Sequence, residues 1–225
     1  MALDTGRIEA LLFDIDGTLS DSDDVMVEKL ERFLRPFLFF LNSEKRKKFA
    51  RWLVMAVESP GNFLYGMADR FDLDSILVRS FDRRARSRRS RPRTYRLIPG
   101  VEQCLGCLDE RYPMGIASAR DEPTVRDFLV QTGLENTFRV VVSASTVRHT
   151  KPYPDPLLHA AQKLGIEPAS CLMVGDTTVD ISAAKEAGMQ AVGVLCGFGR
   201  EGELCRAGAD LILATTADLP CALGL

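Results

Sequence analysis

An apolar run, Ile8 to Phe13, that ends on a carboxylate and breaks at a glycine constrains this 225-residue chain more than any other stretch. Followed by Asp14-Ile15-Asp16-Gly17-Thr18-Leu19-Ser20-Asp21-Ser22, it reads as a buried strand whose last side chain emerges at the edge of a sheet. Asp14 is expected at that exit. Two carboxylates one residue apart on extended backbone point to opposite faces, so Asp14 and Asp16 can attend one centre only if the chain turns between them. Gly17 permits the turn.

From Ile98 onward the rhythm is helix, strand, helix, strand. Helices are expected over Val101 to Glu110, from Asp121-Glu122-Pro123 to Gly133, over Pro156 to Leu164, and through Ala183-Ala184-Lys185. Strands are expected over Pro113 to Ser118, Arg139 to Ser143, Cys171 to Val174, Gln190 to Leu195 and Asp210 to Leu213. Such alternation builds a parallel sheet with helices on both faces, an α/β doubly wound fold. The first strand ends near Phe13 and the next begins near Pro113, far more chain than a crossover needs. Residues 21–94 are therefore expected to be an inserted helical domain, with residues 1–20 and 95–225 forming the core.

Within that insertion, Leu30, Phe33, Leu34, Phe37, Leu38 and Leu41 trace one apolar helix face, kinked at Pro36, and a second helix is expected from Glu44 to Val57. Residues 21–94 hold 17 Lys and Arg against 11 Asp and Glu, whereas the remainder is net negative. Two bodies facing across a cleft and two ordinarily solvated surfaces both account for this asymmetry. Eight arginines fall between Arg83 and Arg96 without apolar periodicity. That tract reads as a return linker or surface edge; the alternatives are a phosphate-binding nucleic-acid contact and arginines overhanging the active site. No nucleic-acid fold adjoins it, and a nucleic-acid partner is not expected.

Six cysteines and no signal-peptide pattern over Met1 to Glu9 lead to the expectation of reduced thiols in a cytoplasmic protein. Cys104 and Cys107 have CxxC spacing, but neither a second pair nor a nearby His completes a zinc set. No apolar run approaches the roughly 20 residues that span a bilayer.

Four polar stations fall at expected strand ends or just beyond: Asp14 with Asp16, Ser118, Lys151, and Asp176 with Asp180. In open parallel sheets ligands bind at the carboxyl ends of strands, where these stations converge. A carboxylate nucleophile, a hydroxyl, an ammonium and further acids are what phosphoryl transfer requires. The stations also carry a resemblance. Residues 14–22, Gly115-Ile116-Ala117-Ser118, Lys151-Pro152-Tyr153-Pro154-Asp155-Pro156 and Gly175-Asp176-Thr177-Thr178-Val179-Asp180 are similar, in order and spacing, to the four motifs of the haloacid dehalogenase superfamily. The phosphatase branch, with a small helical cap inserted after the first motif, is the closer likeness, as in phosphoglycolate phosphatase and β-phosphoglucomutase.

The resemblance implies a Rossmann-like core and a Mg²⁺-dependent phosphomonoesterase acting on a small phosphorylated metabolite. Asp14 would be the nucleophile, forming an aspartyl-phosphate, and Asp16 the acid and base. Ser118 and the backbone amides around Gly17 and Ala119 would bind phosphoryl oxygens, with Lys151 offsetting charge on the phosphate and Asp14. Asp14, Asp176, the backbone carbonyl of Asp16 and Asp180, directly or through water, would hold Mg²⁺. A phosphomutase of the same fold, and a regulatory or nucleic-acid-associated protein using the Arg-rich tract, are the alternatives. The second motif continues Ala119-Arg120 where the family commonly has Asn, which leaves Arg120 to contact either substrate or solvent. His149 is expected to serve its loop. Substrate identity and oligomeric state stay open.

Overall fold

A computed structural model of the chain describes residues 3–21 and 95–225. The helices expected within the insertion and the tract from Arg83 to Arg93 lie outside them.

Six strands form one parallel sheet: β1 (Ala10–Phe13), β2 (Met114–Ala117), β3 (Val140–Val142), β4 (Cys171–Gly175), β5 (Gln190–Val194) and β6 (Leu211–Leu213). Their order is β3-β2-β1-β4-β5-β6, and every neighbouring pair is parallel. Every residue of β1, β2, β4 and β5 is buried. Strands covered on both faces read as continuous apolar runs, which is why the expected strands lacked alternation.

The crossovers are α1 (Val101–Asp109), α2 (Glu122–Thr132), α3 (Asp155–Leu164), α4 (Thr178–Glu186) and α5 (Glu201–Ala207), with a short α6 (Leu219–Ala222) near the end of the chain. Their boundaries follow local chemistry. Asp121 caps α2 by accepting from the Thr124 N–H, and Gly133 ends it in the left-handed conformation. Leu11, Phe13, Ile116 and Val174 pack on one face of the sheet against Leu105 and Leu108 of α1, Phe128 of α2 and Leu219 of α6. On the other face Leu12, Met173 and Ala191 meet Leu157 of α3, Ile181 of α4 and Leu204 of α5. The sheet is thus doubly wound, and β1 lies at its centre, hydrogen-bonded on both sides.

The first strand is shorter than its apolar run. Residues Thr5–Arg7 form a 3-10 turn, and Glu9 is exposed before β1 begins. Helix α5 and the turn and helix over residues 216–222 had no counterpart in the sequence reading. Beyond β1 the outgoing chain meets the returning one: Ser20 bridges Leu97 in antiparallel fashion, and the Asp21 N–H donates to the Arg96 carbonyl at 2.8 Å. Segment 22–94 therefore leaves and rejoins the sheet at one place.

Candidate active site

Strand order reverses between β1 and β4, so the crevice outside their carboxyl ends is where a ligand of this architecture belongs. Asp14 is the first residue past β1, and its N–H still donates to the Val174 carbonyl of β4 at 3.0 Å. Asp176 is the first residue past β4. In the β1–β4 register Phe13 stands opposite Val174, so Asp14 falls opposite Gly175 and Asp176 follows one residue further on.

Asp180 reaches the same point from the first turn of α4. Its Oδ2 accepts from the Thr177 N–H at 3.1 Å and the Thr177 hydroxyl at 2.6 Å, closing a capping box. Its Oδ1 accepts from Lys151 Nζ at 2.5 Å, and the same ammonium donates to Asp14 Oδ1 at 2.8 Å. Lys151 arrives on the loop before α3, where His149 Nδ1 lies 3.0 Å from Asp155 Oδ1 and its ring packs against Tyr153. His149 thus serves the loop, as expected.

One carboxylate oxygen from each of Asp14, Asp176 and Asp180 lies within 4.8 Å of the others, and all three residues are buried. The Asp14 pKa is raised to about 7: burial pushes it up most, Lys151 pulls against that, and Asp180 and Asp16 add to the rise. Burial alone would lower the Lys151 pKa, but Asp14 and Asp180 raise it, so the ammonium stays charged. Gathering three buried carboxylates around one ammonium is costly unless another cation is shared among them. Hard oxygen donors in this arrangement fit a divalent ion such as Mg²⁺. Asp14 and Asp176 are the candidate direct ligands, because both oxygens of Asp180 already accept hydrogen bonds.

Gly17 takes φ +71°, and a Cβ there would run into the Asp176 carboxylate. The glycine both makes the turn after Asp16 and lets the first motif close on the fourth. Its N–H donates to the Ser20 carbonyl at 3.0 Å. That amide is therefore engaged within the turn rather than presented to a phosphoryl group. Ser118 is buried at the end of β2, its Oγ accepting from the Arg120 N–H at 3.2 Å, and Ala119 beside it is exposed.

Asp16 stands apart from the three-carboxylate cluster. Its Oδ2 accepts from Arg120 Nε at 2.7 Å and its Oδ1 from Arg120 Nη2, a bidentate ion pair. The sequence left Arg120 to contact either substrate or solvent; its guanidinium instead pairs with Asp16. Also unforeseen is the loop after β5. The Phe198 N–H donates to Asp176 Oδ2 at 2.8 Å; a Cβ at Gly197 would strike the Asp176 carboxylate, and one at Gly199 the Asp176 carbonyl. Two glycines flanking one residue beyond an expected strand were the available signal. Cys104, meanwhile, is buried with Sγ 3.3 Å from the Thr216 carbonyl, whereas Cys107 is exposed, so the two do not share an inward face. No helix among the described residues is long and apolar enough to cross a membrane.

Residues 11–194 match the haloacid dehalogenase-like hydrolase family. A phosphoglycolate phosphatase of Escherichia coli is 37% identical over 130 residues, which is 57% of this chain and 52% of that protein. This match spans about half of that relative's length. A phosphoglycolate phosphatase of Nitrosococcus oceani is 32% identical over 202 residues, covering 84% of this chain and 85% of that one. Among solved structures, a hydrolase from Pseudomonas syringae superposes with a TM-score of 0.65 at 26% identity, over 96% of this chain and 98% of that one.

Proposed function

The chain belongs to the haloacid dehalogenase-like hydrolase family, and on that footing we propose that it is a Mg²⁺-dependent phosphatase of a small phosphorylated metabolite, working through an aspartyl-phosphate. The observation that carries this reading is the buried Asp14, at the carboxyl end of the central strand, bonded to Lys151 and clustered with Asp176 and Asp180.

Asp14 attacks phosphorus with the oxygen that is not bonded to Lys151, and the bond to the leaving oxygen breaks. Asp16 protonates that oxygen and then takes a proton from the water that hydrolyses the acyl phosphate, returning Asp14 as a carboxylate. Lys151 holds Asp14 from one side and neutralises charge that the phosphoryl group brings. Ser118 supplies a hydroxyl to a phosphoryl oxygen. Asp180 acts mainly through its partners, fixing Lys151 with one oxygen and the start of α4 with the other. Bound between Asp14, Asp176 and the Asp16 carbonyl, Mg²⁺ would screen the phosphoryl charge from Asp14 and polarise the phosphoryl oxygens. On this reading residues 21–94 are the inserted cap, and the choice of substrate is to be sought there.

Phosphoglycolate is the first substrate to try, because both curated relatives above are named for it. The purified protein is assayed with Mg²⁺ against phosphoglycolate within a panel of sugar phosphates and nucleotides. Phosphate release that Asp14→Asn abolishes supports the reading. Absence of release across the panel, or unimpaired turnover by Asp14→Asn, refutes it.

A further inference from the structure

Asp16 presents a positional problem that its neighbours do not share. Asp14 and Asp176 are buried and follow directly on two buried strands, but Asp16 lies in the turn beyond Asp14 with a side chain 40% exposed. A carboxylate left to sample its rotamers in water faces a reacting oxygen only part of the time, and about 1 Å of misplacement can cost about 100-fold in rate. Something must fix it.

We propose that Arg120 is the positioning residue for Asp16, held rigid by Tyr95 and through it by the core. This inference rests on the phosphatase reading above, in which Asp16 is the acid and base. Its support is a continuous line of contacts. Phe128 of α2 is fully buried, and Tyr95 meets it edge to face at 5.6 Å between ring centroids. The Arg120 guanidinium lies over the Tyr95 ring, 5.1 Å from its centroid, with the side chain only 15% exposed. From there Nε and Nη2 reach both oxygens of Asp16. The backbone that launches this side chain is itself pinned, the Arg120 N–H on Ser118 Oγ and the Arg120 carbonyl accepting from the Ala144 N–H at 2.9 Å.

A planar fork on two oxygens restrains both side-chain torsions of Asp16 at once, which a lysine at position 120 could not do. Stacking on an aromatic face then restrains the fork. The arrangement also ties the acid/base to Ser118, so the phosphoryl-binding hydroxyl and the proton-transferring carboxylate are set from one short segment. Tyr95 opens the return from the insertion, so the same contacts join Asp16 to the segment through which residues 21–94 rejoin the sheet.

The test is a double-mutant cycle on the full chain with Mg²⁺ and p-nitrophenyl phosphate, whose turnover still requires Asp16 to activate water. Arg120→Ala is expected to lower kcat by about 10- to 100-fold while KM moves by less than about threefold. Arg120→Lys recovers only part of the loss, and Tyr95→Leu, which keeps Arg120 but removes its platform, shows a smaller drop in the same direction. In an Asp16→Asn background, Arg120→Ala costs less than about twofold, because the group it positions is gone. A KM rise of about tenfold with kcat preserved would overturn the inference by making Arg120 a substrate contact. So would an undiminished loss in the Asp16→Asn background. If Asp16→Asn alone keeps the parent kcat, the acid/base assignment fails first, a result distinct from either of these.

Discussion

Replacing Asp14 with Asn should stabilise the metal-free protein while abolishing turnover, because the site gathers negative charge that folding must desolvate. The Asp14 pKa stands at about 7 against an ordinary 3.8, with burial the largest cause. Each pH unit between the two is worth about 1.4 kcal/mol, so ionising Asp14 costs the folded state up to about 4 kcal/mol at pH above 7. The sign follows from proton binding. Between pH 3.8 and about 7 the folded state holds the proton more tightly, so metal-free stability falls as pH rises through that window.

The carboxamide of Asp14→Asn never ionises, and Lys151 keeps Asp180 as a partner at 2.5 Å, so the ammonium is not stranded. Urea unfolding in the presence of a chelator measures the difference. At pH 8, Asp14→Asn should exceed the parent by about 2 to 4 kcal/mol, and the two should converge as pH falls toward 4. Equal or lower stability of Asp14→Asn at pH 8 would refute the reasoning, since the carboxylate would then be no burden to the fold.

Other substitutions test other parts of the site. Lys151→Ala leaves Asp14 and Asp180 without their shared cation and should cost about 3 to 5 kcal/mol at pH 8 by urea unfolding, less at pH 5 where Asp14 is protonated. Mg²⁺ affinity, followed by calorimetry, should rise with pH up to about 7 and then level, with proton release below that value, as Asp14 gives up its proton to bind. Gly199→Ala forces the loop off Asp176 and should lower thermal stability by about 1 to 3 kcal/mol and weaken Mg²⁺ binding together. Phe13→Ala, in a fully buried side chain stacked edge to face on Phe138, should cost about 3 to 5 kcal/mol.

The fold was legible because each signal was local. Apolar runs of strand length, Gly133 and Gly165 behind helices, and Asp121 in front of one each act within a few residues. Helix α5, of seven residues, and α6, of four, are too short for a periodicity to show. The positions of Asp14, Lys151, Asp176 and Asp180 could be read because strand ends in a parallel sheet converge. The Arg120–Asp16 pair could not, since 104 residues separate its members and nothing in either segment announces the other. Gly197 and Gly199 were missed for a related reason. Their requirement is steric, imposed by Asp176 from beyond a different strand, so the two glycines mark a loop in the sequence without showing what that loop must clear.

The most direct test of the central claim is to mix the enzyme with Mg²⁺ and excess phosphomonoester, quench in acid within a turnover, and map the phosphorylated peptide by mass spectrometry. Phosphate on Asp14, absent from Asp14→Asn, is the predicted result. Turnover without a phosphorylated enzyme, or with the phosphate on another residue, would contradict it.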